Sequence, residues 1–386
     1  MTMQPVGIGV VGAGGFGAFA MAAFQEMPEV RVVAVQDADP ARARSAAEAH
    51  GARFCETYEN LLAVPEVEVV YLATPPAHHG PAALQALEAG RHVWVEKPFA
   101  LTPEEAEAVV RLARERGLRV GTNYVLRFNP IYRLARELLE SRVLGELREM
   151  TLENCATDEK LPPDHWFWDL QVSGGIFVEH GVHFFDIAGV LSGAQGEWTY
   201  SQVWARPPHG NLDRVLAVTR YGSVPAFFYH SFDRPYRVER TEFRLACDLG
   251  DITVHGWMPL ALTLEGAVDR EGLARLEEVA ARPALEMGSG RRAPVQATLA
   301  FLDGYEGEAR RCQGRWIDRE VTHRVRLTVA CREEKMVVYG RAIQAGAADF
   351  VRAVRDPGYQ PLVTPEAILA SLRVAHDAAT RAVRLV

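Results

Sequence analysis

The first 125 residues alternate short apolar runs with stretches of helical composition, and this alternation most narrows what the chain can fold into. The runs are VGIGVV (6–11), VRVVAV (30–35), VEVVYLA (67–73), RHVWV (91–95) and LRVGTNY (118–124). Between them lie a stretch from Phe16 to Met27 and the segments DPARARSAAEAH, GPAALQALEAG and TPEEAEAVVRLARERG. Strands that are apolar throughout and separated by helices imply a parallel sheet covered on both faces. The last of these helices carries its own punctuation. Thr102 stands as N-cap, Pro103 at the first helical position, Glu105 as the return arm of a capping box and Gly117 at the C-terminus. A doubly wound α/β domain is therefore expected over residues 1–126, with a second domain over 127–386 whose C-terminal helices can pack back on the first.

The turn after the first strand fits G-x-G-x-x-G as Gly12, Gly14 and Gly17, with Gly15 and Phe16 inside it. That chemistry needs a tight turn, close backbone approach to a pyrophosphate, and a helix N-terminus aimed at the anion. Glycine patterns arise by chance in a chain with 32 glycines. Here the pattern follows a strand, opens a helix, and is followed about 20 residues later by Asp37 at the end of the second strand. Asp37 is placed to accept from ribose hydroxyls, and its charge, with Asp39 close behind, disfavours a 2′-phosphate. NAD is favoured over NADP; the competing arrangement folds Arg42 back onto the phosphate.

Two further stretches, ATPPAHHGPAALQALEAG (73–90) and VWVEKPFA (93–100), begin at the carboxyl ends of expected strands, where open α/β sheets bind ligands. Lys97 precedes Pro98, which biases it toward an extended backbone. By itself it reads as a surface lysine at a strand end. The segment GGIFVEHGVHFFD (174–186) places Glu179, His180, His183 and Asp186 among apolar and aromatic neighbours. On an α-helix after Gly174 and Gly175, Glu179 and His183 lie one turn apart on one face, with His180 about a quarter-turn away. Histidine suits proton removal from an alcohol because its ordinary pKa is near 6.5. A lysine can steady the developing negative oxygen. The order E-H-x-x-H is not the zinc arrangement H-E-x-x-H, so no metal is expected. For Asp186 a role in cross-linking a buried helix is preferred.

Composition excludes more than it assigns. Hydrophobic content of 48% with 24% charged residues is that of a globular chain, and no apolar run is long enough to span a membrane. The formal charge of −8, with arginines interspersed among acids, argues against nucleic acid as a partner. Five scattered cysteines with no C-x-x-C favour free thiols and a cytoplasmic protein. The opening MTMQPVGIGVVGAGGFG lacks a basic n-region and reads as the start of the fold.

Taken together, the glycine turn, ATPPAHH, EKP (96–98), RFNP (127–130) and SGGIFVEHGVHFFD resemble the glucose–fructose oxidoreductase/inositol dehydrogenase/MocA-like family in order and spacing. The closing FVRAVRDPGYQPLVTPEAILASLRVAHDAATRA (350–382) resembles that family's last two helices. The resemblance implies an N-terminal Rossmann domain and a C-terminal α+β domain with an open, mostly antiparallel sheet, through which members form dimers or tetramers. It implies that Lys97 sits beside the nicotinamide and substrate, that His79 lies on the cofactor side with Thr74, Pro75 and Glu96, and that His183 is the proton acceptor. The family's usual aspartate in the last motif is Glu179 here, one methylene longer. Asn123, Arg127, Trp166 and Trp168 are pocket candidates, with Asp164, His165 and Asp169 as further hydroxyl-binding groups.

The expected activity is hydride transfer between NAD and a secondary alcohol of a sugar, sugar acid or cyclitol. Two alternatives stay open: a tightly held NAD used in a transient redox cycle for glycoside cleavage or epimerisation, and a non-enzymatic dinucleotide sensor. From about residue 197 the chain reads as strands, with DLGD (248–251) as a hairpin turn. Residues 266–322 read as irregular surface excursions.

Overall fold

The computed structural model describes residues 4–207, 209–302, 307–314 and 317–385. Its strands, in chain order, are β1 (Val6–Val11), β2 (Val30–Gln36), β3 (Arg53–Phe54), β4 (Val69–Leu72), β5 (His92–Val95) and β6 (Val120–Thr122). There follow β7 (Leu147–Thr157), β8 (Gly196–Arg206), β9 (Asn211–Tyr221), β10 (Val224–Arg234), β11 (Arg240–Cys247), β12 (Gly250–His255) and β13 (Ala261–Val268). The last are β14 (Ala284–Gly288), β15 (Arg291–Phe301), β16 (Arg310–Gln313), β17 (Asp318–Val321), β18 (His323–Cys331) and β19 (Val383–Leu385).

The first six form one parallel sheet in the order β3-β2-β1-β4-β5-β6, the doubly wound arrangement with its switch point beside β1. Strands β1 and β4 are buried along their whole length, as helices on both faces require. Thr102 caps the Pro103–Arg116 helix through the Glu105 backbone N–H, and Gly117 closes it in the left-handed region. The Glu105 side chain returns to the Leu101 N–H, one residue before the N-cap, so the capping box closes a residue early.

This sheet belongs to a compact unit made of residues up to Val125, Pro163–Asp186 and Gly340–Thr380. Two later segments thus return to this unit, one of them carrying the C-terminal helices. One reason is aromatic. Phe350, on the helix Lys335–Arg355, stacks on Trp94 of β5 at 6.1 Å, and Trp94 in turn meets Tyr71 and Phe24.

The second unit comprises Leu126–Pro162, Ile187–Tyr339 and Arg381–Val386. Its sheet runs β14-β15-β18-β13-β12-β11-β7-β10-β9-β8-β19, antiparallel except at β7–β10 and β8–β19. The hairpin at 248–251 joins β11 to β12 as expected. The stretch 266–322 is more regular than its composition suggests. It supplies the end of β13, the helix Arg270–Ala280 capped by Asp269, and β14 to β17. The period-2 alternation of β15 is diluted by arginine and proline, which hides a strand with only one well-buried face. Residues 303–306 and 315–316 of that stretch lie outside the described residues.

All five cysteines are free thiols. Among the described residues no helix is long and apolar enough to cross a membrane.

Candidate active site

The glycine turn is built for close approach. Gly12 has φ +93°, and a Cβ there would lie 2.5 Å from the Ala73 carbonyl oxygen; one on Gly17 would lie 1.9 Å from the Gly12 carbonyl oxygen. At Gly15 a Cβ would meet nothing within 4 Å, and at Gly14 only Arg42 Nη1 at 3.9 Å. The first two glycines thus serve packing, while Gly14 and Gly15 leave backbone facing open space. The helix they start, Gly15–Gln25, has no side-chain cap and no acid in its first turn. Helices elsewhere in the chain are capped by Asp39, Thr57, Thr102, Asn129 and Asp269. An uncapped N-terminus beside open backbone fits a pyrophosphate, so these residues fit a dinucleotide. Phe16, half-buried in the first turn, packs edge-on against Phe19.

Asp37 is buried at the end of β2, and its carboxylate is already engaged. Oδ2 accepts from the Ala13 N–H at 2.7 Å, and Oδ1 from the Asp39 N–H at 2.8 Å. Arg42 reaches back over the turn to Asp37 Oδ1 at 3.2 Å and Asp39 Oδ2 at 3.5 Å. Asp37 therefore braces the glycine turn, and its charge is partly answered by the arginine.

Thr74 and Pro75 follow β4, and Lys97 follows β5 with a cis peptide bond to Pro98. His79 is fully buried between these two loops, with Nδ1 2.6 Å from the Pro98 carbonyl oxygen and Nε2 2.8 Å from that of Thr74. Burial lowers its pKa to about 4; the two carbonyls pull the other way, since only an imidazolium donates to both. This histidine ties the two loops together.

Lys97 Nζ donates to the Glu179 carboxylate at 2.5 Å and to the Glu179 backbone carbonyl at 2.8 Å. Both side chains are mostly shielded, at 17% and 13% exposure, so the pair is far from a solvated surface contact. Glu179 does not sit on a regular α-helix. Gly174 and Gly175 both take positive φ, and Phe177–Gly181 then forms a π-helical turn that passes into the α-helix Val182–Ser192. Turns of this kind take carbonyls out of the regular ladder and concentrate at functional sites; here the Glu179 carbonyl meets a lysine. His183 is buried behind the turn, and its pKa is held well below the ordinary value by desolvation and then by the charges of Lys97 and His180. His180 is lowered by the same first two causes and packs against Phe184 at 5.6 Å.

Glu96 is buried, with Oε1 accepting from the Tyr71 hydroxyl and from Asn123 Nδ2 at 2.8 Å. Desolvation raises its pKa to about 7 against the pull of these donors. Asn123 Oδ1 and Thr74 Oγ1 are buried atoms without a hydrogen-bond partner among the described residues. They lie just beyond the ends of the strands either side of β5, where a ligand would satisfy them.

The first unit therefore brings together Thr74, His79, Glu96, Lys97, Asn123, Glu179 and His183. Trp166 is exposed and Trp168 half-buried on a short turn, while His165 and Asp169 cap that turn and the next. Those caps explain the two polar residues without a ligand; Asp164 is exposed. Arg127 is half-buried in the second unit. Tyr71 was not singled out from the sequence. Its signal was there: it faces Trp94 in the β4–β5 register, and Glu96 lies two residues further on that same face.

Residues 6–124 match the model of an oxidoreductase family with an NAD-binding Rossmann fold, and residues 132–253 match a GFO/IDH/MocA C-terminal domain. The chain belongs to the GFO/IDH/MocA family. Among relatives of this family member, scyllo-inositol 2-dehydrogenase (NAD(+)) of Bacillus subtilis is 28% identical over 54% of this chain and 58% of its own length. The dTDP-3,4-didehydro-2,6-dideoxy-alpha-D-glucose 3-reductase of Saccharopolyspora spinosa is 36% identical over 47% and 54%. These matches span only a little over half the length of the curated relatives. A 3-ketoreductase from Actinomadura kijaniata, solved with NADP and TDP-benzene, superposes with a TM-score of 0.72 at 19% identity over 99% of both chains. At that identity the likeness is one of fold.

Proposed function

We propose that this GFO/IDH/MocA member moves a hydride between a nicotinamide cofactor and a secondary alcohol, or its ketone, on a sugar, sugar acid or cyclitol. The observation that carries the reading is the shielded Lys97–Glu179 pair at the carboxyl edge of the parallel sheet, with a buried, uncharged His183 within the lysine's field. A bound nicotinamide supplies the hydride acceptor or donor. Lys97 orients the reacting oxygen and steadies negative charge on it. His183, kept neutral by burial, takes the hydroxyl proton in the oxidising direction and returns that proton in the reducing one. Glu179 holds the ammonium by a charge-assisted hydrogen bond until substrate arrives. Asn123, Trp166 and Trp168 complete the proposed pocket within the first unit, and Gly12, Gly14, Gly15, Phe16, Gly17, Asp37, Thr74, Pro75, His79 and Glu96 the cofactor side.

NAD is the favoured cofactor on the placement of Asp37. A cytoplasmic homodimer or homotetramer belongs to the same reading. One rung of the second sheet supports it, running Tyr200, Val218, Phe227, Thr151, Arg244, Thr253, Thr263, Thr328 across eight strands, all exposed or half-exposed. Sedimentation of the purified protein tests that part.

The function is tested by following nicotinamide absorbance with NAD and NADP against cyclitols, aldoses, sugar acids and nucleotide-linked ketosugars. Turnover on one class establishes the activity. Cofactor retained without turnover anywhere overturns net hydride transfer and favours a transient redox cycle or a sensor.

A further inference from the structure

Glu179 meets Lys97 twice, once through its carboxylate and once through its own backbone carbonyl. The two contacts coexist only if the backbone at residue 179 is fixed, and not its side chain alone. Yet the segment leading to it is permissive. Gly174 and Gly175 take φ of +75° and +79°. Neither can be stiffened by a side chain, because a Cβ on Gly174 would lie 2.8 Å from Val178 Cβ and one on Gly175 3.0 Å from Leu170 Cδ2. What spans the two glycines is a hydroxyl. Ser173 is fully buried, and its Oγ donates to the Asp169 carbonyl at 3.0 Å and accepts from the Gly175 N–H at 2.9 Å. That N–H opens the helix that carries Glu179, where backbone donors have no partner within the helix.

We propose that Ser173 is a positioning residue for Lys97: its hydroxyl sets where the Glu179 helix begins, and so keeps the Glu179 carboxylate and carbonyl together on the ammonium. The consequence for catalysis rests on the hydride-transfer reading of Lys97; the effect on the ammonium does not. Without the hydroxyl, the Gly175 N–H is buried with no acceptor, and nothing opposes the freedom of the two glycines. A residue that merely filled the space would be replaced equally well by a thiol, which has a similar shape and bonds weakly. The same hydroxyl ties the Glu179 helix to the one-turn helix Leu170–Ser173, which packs on the Pro76–His78 turn that follows β4.

The chain has three lysines, Lys97, Lys160 and Lys335, and the last two are exposed, so the state of the Lys97 ammonium can be read directly. Brief acetylation of the whole protein, followed by peptide mass spectrometry, should find Lys97 reacting far more slowly than the other two in wild type. In Ser173→Ala the Lys97 rate should rise about tenfold, the scale of one buried hydrogen bond, with Lys160 and Lys335 unchanged. Ser173→Cys should behave like Ser173→Ala. With a responsive substrate, both variants should lose about tenfold in kcat while the dissociation constant for NADH stays as in wild type. Lys97 as protected in Ser173→Ala as in wild type overturns the proposal, and so does a Ser173→Cys protein indistinguishable from wild type. A rise in labelling together with loss of NADH binding would mean that the whole unit has loosened, which also overturns it. Faster labelling with NADH binding intact supports the proposal even if no substrate in the panel reacts, and this separates it from failure of the functional reading.

Discussion

The two sheets treat charge in opposite ways. At the carboxyl edge of the parallel sheet, Glu96, Lys97, Glu179, His79 and His183 are buried or shielded, and Lys97–Glu179 and His79–Pro98 make short contacts between segments distant in the chain. On the exposed face of the second sheet, Glu149–Arg244, Glu153–Arg240 and Glu265–Arg326 pair across strands in contact with water. Shielded groups have shifted proton affinities and interact strongly; solvated pairs are worth about 0–1 kcal/mol each. Chemistry belongs with the first set, and solubility and strand register with the second.

The largest expected effect follows from this contrast. Lys97→Ala should lower kcat/KM by about 10²–10³-fold, the usual loss of a donor to a developing oxyanion. Glu179 is then left without its cation, so the variant should also melt earlier. Steady-state kinetics with the responsive substrate, alongside a thermal melt, checks both. Activity within a few-fold of wild type would break the comparison at its central pair.

Next in size is a pH effect on stability. His79 has a folded pKa lowered to about 4, so its contribution is present above its ordinary 6.5 and is lost as pH falls toward 4. Burial gives His183 the same sign. Glu96 is raised to about 7, so its contribution is present below 4.5 and is lost as pH rises toward 7. The two trends oppose each other, and Glu96 accounts for on the order of 3 kcal/mol of the falling one. In Glu96→Gln the melting temperature should therefore climb more steeply between pH 5 and 7 than in wild type. A parallel or shallower climb would contradict the assigned burial.

Much of this was legible from residue order. The strand–helix alternation, the glycine turn, Thr102 and Gly117 and the Lys97–Pro98 turn each depend on local chemistry, and local chemistry is what residue spacing records. Glu179 was legible as a carboxylate near Lys97, but its π-helical turn was not, because wider helical hydrogen bonding leaves no periodic mark over five residues. That the C-terminal helices can return to the first unit was open from the sequence, but the contact that helps hold them, Trp94 on Phe350, joins residues 256 positions apart and leaves no local mark. Asp37 shows the same limit. Spacing located it, yet its two carboxylate oxygens are spent on the Ala13 and Asp39 N–H groups, with Arg42 leaning over them.

That arginine gives a smaller, sharper expectation. Arg42 is half-exposed and offsets Asp37 beside the open backbone of Gly14. Arg42→Ala should raise the dissociation constant for NADPH about tenfold, the scale of one exposed charge-assisted contact, with little change for NADH. Fluorescence titration of the two reduced cofactors measures this without any substrate. Equal weakening of both would place Arg42 over the part the two cofactors share.

The smallest effect is expected from Glu265. Its side chain is 34% exposed and its carboxylate accepts from Arg326 at 2.7 Å and 3.0 Å and from Arg324 at 3.2 Å, three contacts made at the edge of water. Glu265→Ala leaves two guanidiniums that water can still solvate, so the cost should stay below about 1 kcal/mol, with kcat and KM unchanged. Melts at two protein concentrations sharpen the result. A small, concentration-independent drop fits a solvated pair. A large drop that fades as protein concentration rises would mean that the proposed contact between copies reaches this end of the face, and that its charges belong with the shielded set.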